Sequence, residues 1–329
     1  MKKFELKSNG IPLFCDEVKD LPAKKGTGFD SWYVICNFEA DGKQYGFEWH
    51  QQSMFDKFIT VETLLMDADR KLWLNHAATE PITETSGASY TDLNVYSSFG
   101  RLDGTRDKMH LRLDVGDGQV DVVVRPTSDV LYNGTTGLLK FLGGGDSYEY
   151  AYFNMAIEGT VTIQGKTIEI TNATAWFDRQ WGFTQEANEV YEGSGMNKLS
   201  WLWLGLPLGS DRKEALSLWD AYGKDGRFNF ATVYHRDGTQ INLPASVEYI
   251  DIWKSQQSGN EYPRKVAIHV PLDQIELRLE FVSDNPEFYR EDGSINGCQS
   301  LCHVTGTCHG QHVDTYNILE IIGDLCGDI

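Results

Sequence analysis

The run Ala173-Thr-Ala-Trp176-Phe-Asp178-Arg179-Gln-Trp181-Gly-Phe183 sets one acid, Asp178, between the indoles of Trp176 and Trp181. A carboxylate held against large apolar rings loses hydration, so its charged form is disfavoured and its pKa rises. Asp becomes a proton donor at neutral pH in this way. The competing reading is structural: Asp178 pairs with Arg179 to hold a turn, and the tryptophans are core.

Three further groupings carry chemistry-bearing residues. Alternation along Tyr45 to His50 puts Glu48 and His50 on one face, roughly 7 Å apart, with Phe47 and Trp49 on the other. Along Leu216 to Tyr222, Asp220 and Tyr222 share a face with Leu216 and Leu218. Trp201 and Trp203 share a face of the preceding stretch. If those two stretches pair as a hairpin, the acid, the phenol and the two indoles meet in one barrel mouth. Otherwise Asp220 caps a strand end near Gly223 and Trp203 is core.

The tail collects Cys298, Cys302, His303, Cys308, His309 and His312. These residue types suit zinc, but no CxxC pair exists, and a pair of strands there scatters the side chains over both faces. The expectation is no metal site. No GxGxxG opens a strand-to-helix turn, and no GxxxxGK[ST] or GxSxG occurs, so no nucleotide cofactor or serine nucleophile is implied. Gly143-Gly144-Gly145 precedes no helix and reads as a loop.

The elements that must position these groups are short alternating runs broken by Gly, Asp and Asn. Trp32, Val34, Cys36 and Phe38 share one face, an Asp41-Gly42 turn follows, and Tyr45 to His50 runs back as a hairpin. Further strands are expected at Val120 to Val124, Gly159 to Ile163 and Thr167 to Thr171. The second half has them at Leu199 to Leu206, Leu216 to Tyr222, Phe228 to His235, Val247 to Trp253, Val266 to Val270, Glu276 to Val282 and Ile318 to Ile322. Only Val61 to Leu72 admits a helical reading, weakened by β-branched Val61 and Thr63. The pattern is that of an all-β protein of barrels or sandwiches. A barrel of about eight strands takes roughly 130–180 residues, so the 329-residue chain holds two. The strand pattern lapses at Thr184 to Lys198, which places the domains at residues 1–185 and 186–329.

The totals narrow the partners. A formal net charge of −19 argues against nucleic acid and anionic membrane surfaces. Aromatics at 12% supply pocket lining, which fits a hydrophobic small molecule. No apolar run is long enough to span a bilayer, and Phe4-Glu5-Leu6-Lys7-Ser8 gives no signal-peptide core. The six cysteines read as reduced thiols of a cytoplasmic protein.

The order of motifs resembles a known family. It runs from Ser31-Trp32-Tyr33 with Gly42, through Gly159-Thr-Val-Thr and Gly165-Lys166, into Trp176-Phe-Asp178-Arg-Gln-Trp181-Gly182. Then come Trp201-Leu-Trp203-Leu and a closing Tyr316-Asn-Ile-Leu-Glu320-Ile-Ile-Gly323. This is similar to the lipocalin-like family of carotenoid 1,2-hydratases, AttH-type proteins, kievitone hydratase and fungal decalin-forming Diels–Alderases. The resemblance implies two lipocalin-like β-barrels with a ligand pocket at or between their mouths, and cofactor-free chemistry on hydrophobic, often polyunsaturated or phenolic molecules. The family's Asp within Trp-x-Asp-x-x-Trp maps onto Asp178, its aromatic second-domain strand onto Trp201 and Trp203, and the next strand's acid onto Asp220. The Ser31-Trp32-Tyr33 stretch departs from the acid that relatives often carry before paired Trp.

These readings lead to an expected enzyme without cofactor: a hydratase, dehydratase or isomerase of an alkene-bearing substrate. Asp178 or Asp220 protonates carbon, Tyr222 and His50 place water or take back a proton, and Trp176, Trp181, Trp201, Trp203 and Glu48 line the site. A cyclase that enforces a reactive substrate fold, and a carrier without turnover, are the rival expectations.

Overall fold

The computed structural model describes residues 12–141, 145–184, 200–223, 226–288 and 296–327. It carries two antiparallel sheets and, among the described residues, no α-helix. The first sheet contains β1 (Thr27–Ala40), β2 (Lys43–Met54), β3 (Phe58–Asp67), β4 (Leu72–Pro81), β5 (Gly87–Ala88), β6 (Leu93–Ser97), β7 (Gly100–Thr105) and β8 (Lys108–Asp114). It continues with β9 (Gly118–Pro126), β10 (Val130–Tyr132), β11 (Leu138–Phe141), β12 (Gly145–Ile163) and β13 (Lys166–Thr184). The second contains β14 (Ser200–Leu208), β15 (Glu214–Gly223), β16 (Gly226–Tyr234), β17 (Gln240–Leu243), β18 (Ser246–Lys254) and β19 (Glu261–Val270). Its remaining strands are β20 (Ile275–Phe281), β21 (Glu287–Phe288), β22 (Gly297–Cys308) and β23 (Gln311–Ile322).

The first sheet runs β4-β3-β2-β1-β13-β12-β9-β8-β7-β6-β5, and the second β17-β16-β15-β14-β23-β22-β20-β19-β18. In each, strands distant in sequence close beside one another, β1 on β13 and β14 on β23, so each sheet curls around its own filling. The expected seam from Thr184 to Lys198 falls, apart from Thr184, outside the described residues. The stretch with weak helical character, Val61 to Leu72, is the end of strand β3 and the turn into β4: its β-branched residues prefer the pleated surface, and Val61 and Leu65 pack inside the first sheet.

Three apolar clusters follow from strand alternation. Trp32, Val34, Phe47, Trp49 and Phe177 fill the concave side of the first sheet. Leu202, Leu204, Leu218, Ile268 and Leu319 fill that of the second. The third cluster belongs to neither filling. It takes Tyr33, Ile35, Leu64 and Trp176 from the back of the first sheet and Trp203, Trp219, Leu301 and Ile318 from the back of the second. The two curled sheets are therefore packed back to back. The curl of the first is helped by Gly159, at a register shift of β12, with φ +138. A Cβ there would lie 2.2 Å from the carbonyl oxygen of Asp121, so only glycine fits this bend.

Candidate functional site between the sheets

The third cluster holds the acids. Across the first sheet, register aligns Glu62, His50, Tyr33, Asp178 and Ala151 in one row. Across the second, it aligns Phe230, Trp219, Trp203, Glu320 and Gln299. The two rows face each other: the Tyr33 ring meets Trp203 edge-on at 5.3 Å, and Trp176 meets Trp203 at 5.9 Å. Next to them, Glu48 pairs in register with Ile35, and Glu149 with Gln180.

Glu48, Glu149, Asp178 and Glu320 are all buried in this apolar seam. Desolvation is the chief cause of a raised pKa in each. Glu48 is raised further by the charge of Glu320, Glu149 by Asp178 and Glu320, and Asp178 by Glu320. The Trp176 indole N–H leans toward Asp178 and holds its rise back, without the alignment of a formed hydrogen bond. Tyr33 does the same for Glu48, and its own phenol is pushed well up by burial and by the neighbouring acids.

Glu320 is the exception among the acids in being well solvated by donors. Trp201 Nε1 donates to one oxygen at 2.6 Å and Gln299 Nε2 to the other at 3.0 Å. These bonds offset part of its desolvation, and its pKa is raised to about 7. His50 Nδ1 lies 3.9 Å from Glu320, and His50 Nε2 shares a hydrogen bond of 2.9 Å with Ser31 Oγ. Near neutral pH the seam thus holds acids poised to give a proton beside one poised to take one. Several of its polar atoms, both Glu48 oxygens, Asp178 Oδ1 and the Trp203 N–H, have no aligned hydrogen-bond partner in the protein. Buried polar atoms are rarely left so, and a ligand or water is the usual complement.

The structure gathers Asp178, Trp176, His50, Glu48, Trp201 and Trp203 at this seam, and separates three residues that the sequence reading joined to them. Trp181, three positions after Asp178, points to the concave side. It stacks on Tyr148 at 5.6 Å and lies under the Arg179 guanidinium. Arg179 pairs not with Asp178 but with buried Asp30, at 2.5 Å, and donates to the carbonyls of Leu21 and Pro22. Strands β14 and β15 do form the expected hairpin, but Trp203 opposes Trp219, while Asp220 opposes Leu202. Asp220 and Tyr222 therefore face the second sheet's filling. Asp220 is clamped there by Arg227 at 2.6 and 2.7 Å, by Asn229 and by Tyr249. One mouth does not hold them together with the paired indoles, because a residue opposite Leu202 must share its face.

Tyr33, Glu149 and Glu320 were missed by the sequence reading. Glu320 carried a signal, as an acid in the apolar run Ile318–Ile322; Tyr33 and Glu149 carried none, since their faces look like ordinary strand faces. Gly205 completes the site by what it lacks. A Cβ there would fall 2.5 Å from Trp176 and 2.6 Å from Trp203, so bare backbone lets the two indoles lie against β14.

A pair of curled antiparallel sheets joined back to back, with buried acids and indoles in the joint, defines a two-domain lipocalin-like β protein. The AttH-like family profile matches residues 18–312, and the chain belongs to that family. Among solved structures it is similar to a protein of Nitrosomonas europaea assigned as an AttH. The TM-score is 0.78 at 19% identity, over 95% of this chain and 99% of that one. It is also similar to kievitone hydratase from Nectria haematococca, with TM-score 0.79 and 17% identity over 96% of this chain and 94% of that one. Comparison with curated protein sequences returns no match. Among the described residues no helix is long and apolar enough to cross a membrane.

Proposed function

We propose that the protein is a cofactor-independent hydratase or dehydratase of a hydrophobic, alkene-bearing small molecule bound between the two sheets. The observation that carries this reading is the group of buried acids with raised pKa facing Trp176 and Trp203. The similarity to kievitone hydratase agrees with it.

In the hydration direction Asp178, protonated by its apolar setting, gives its proton to an alkene carbon. The carbocation that forms faces Trp176 and Trp203, each ring contributing about 0.5–2 kcal/mol of cation–π stabilisation. Water held by Glu320 and His50 attacks, and its proton passes to the Glu320 carboxylate. Asp178 ends ionised and Glu320 protonated, so one proton transfer between them restores the site. Dehydration is the same path reversed.

General acid catalysis is worth roughly 10²–10⁴-fold. Asp178→Asn is therefore expected to cut turnover by at least about 100-fold while ligand affinity holds within a few-fold. The assay incubates unsaturated lipophilic and phenolic compounds in heavy-oxygen water. Label in the product marks hydration; a product of unchanged mass marks isomerisation or cyclisation; an unchanged ligand bound one to one marks a carrier. Full activity in Asp178→Asn refutes the acid role.

A further inference from the structure

Among the described residues one group of side chains is arranged as metal ligands: His235, Asp273 and His309. It lies on the second sheet, away from the acids of the seam. His235 follows β16, Asp273 ends the single turn Pro271–Asp273 between β19 and β20, and His309 occupies the tight turn between β22 and β23. Three connections far apart in sequence converge on one point.

Both histidines are fixed by their backbone before any ion arrives. His235 N donates to Thr239 O at 2.8 Å, and His309 N to Gln274 O at 3.1 Å. His309 also sits at φ +49, in the left-handed region that closes this tight turn. His235 Nε2 is 3.4 Å from Asp273 Oδ1, and His309 Nε2 is 3.1 Å from Asp273 Oδ2. Ligands about 2.0–2.1 Å from a tetrahedral zinc ion stand about 3.3–3.4 Å from one another. The two histidine-to-carboxylate spacings are close to that, and all three ligand atoms lie within 4.8 Å of one another.

The far nitrogen of His309 is also provided for. Its Nδ1 lies 3.8 Å from Glu214 Oε1, with Cys308 Sγ at 3.7 Å on the same nitrogen. A carboxylate behind a ligating imidazole is the usual means of fixing its tautomer and raising its basicity. Arg236, the cation next in sequence to His235, is occupied by Asp211 at 2.9 Å.

We propose that His235 Nε2, His309 Nε2 and the Asp273 carboxylate bind a divalent transition ion of the zinc type, with Glu214 orienting His309. Imidazole and carboxylate donors suit that class. Asp273 is buried and the two histidines are partly exposed, so the fourth position opens to water on the histidine side. The ion would clip three connections together at one end of the second sheet's strands. Of the Cys- and His-rich tail, only His309 takes part: Cys298, Cys302 and Cys308 are buried free thiols, and His303 pairs with Asp314 at 2.7 Å.

The test uses the untagged full chain, stripped with chelator and titrated with Zn²⁺ against a competing chelating dye. Saturable binding of one ion per chain is expected, with a rise in melting temperature. His235→Ala and His309→Ala are expected to weaken binding at least tenfold and to abolish that rise, Glu214→Gln about tenfold, and His303→Ala not at all. Should His235→Ala or His309→Ala misfold, the shape-conserving Asp273→Asn takes their place, read by the same titration. No saturable site in the wild type, or equal affinity in the ligand variants, overturns the proposal.

Discussion

Glu320 is the side chain whose titration reaches furthest into the behaviour of the protein. Its folded pKa is raised from 4.5 to about 7. The folded state therefore holds this proton more tightly than the unfolded state does. Its contribution to stability is fully present below pH 4.5 and is lost as the pH rises through about 7, on the order of 3 kcal/mol in all. Glu48, Glu149 and Asp178 are raised too and act in the same direction. Acids lowered by surface partners act in the opposite sense, as Asp16 does at about 2, but only below its ordinary 3.8. Melting temperature is thus expected to fall between pH 5 and pH 8, with a shallower fall in Glu320→Gln. A flat or rising profile in the wild type argues that the seam acids are solvated. In the proposed mechanism the ionised Glu320 is the base, so the acidic limb of kcat/KM should have its midpoint near pH 7 and should vanish in Glu320→Gln.

At the scale of the element, β14 shows how backbone shapes the site. Gly205 lies beneath Trp176 and Trp203 with no space for a methyl group. Overpacking of this sort costs typically 1–3 kcal/mol and shifts the rings. Gly205→Ala is expected to lose about that much stability in denaturant melts and to weaken ligand binding about tenfold or more. Unchanged binding would place the ligand elsewhere. Strands are also where the sequence proved readable and where it did not. Alternation located β9, β15, β16, β18, β19, β20 and β23, because one side of each strand faces an apolar filling and the period of two is clear. It said nothing about which of two faces lies inside when both are apolar. Trp201, Trp203, Leu202 and Leu204 occupy both sides of β14, and Asp220 was assigned to the indoles when it belongs with the leucines. Trp181 was joined to Asp178 by nearness in sequence, whereas alternation, with a separation of three residues, puts it on the opposite face. The acids of the seam were only half visible: Asp178 announces itself by its indole neighbour, whereas Glu149 and Tyr33 acquire their surroundings from other strands, Glu149 from Asp178 and Trp219, Tyr33 from Glu48 and Trp203.

For the whole molecule the governing fact is the joint. Gly46 on the back of β2 admits Leu301 of the other sheet, and a Cβ there would lie 2.9 Å from that side chain. Trp73 Nε1 donates to Gln299 O across the same joint at 2.9 Å. Gly46→Val is expected to wedge the sheets apart while sparing both fillings. Far-UV circular dichroism should stay the same, the radius of gyration in solution scattering should grow, and turnover should fall about 100-fold, the cost of an ångström of misplacement. Normal turnover with a widened joint would count against a site there. The arrangement also bears on inheritance. Glu48, Asp178 and Glu320 alternate along their strands with Phe47, Phe177 and Leu319, which serve the fillings. Each strand thus carries two separate texts, one for holding together and one for choosing a guest, and a lineage can rewrite the second while leaving the first legible.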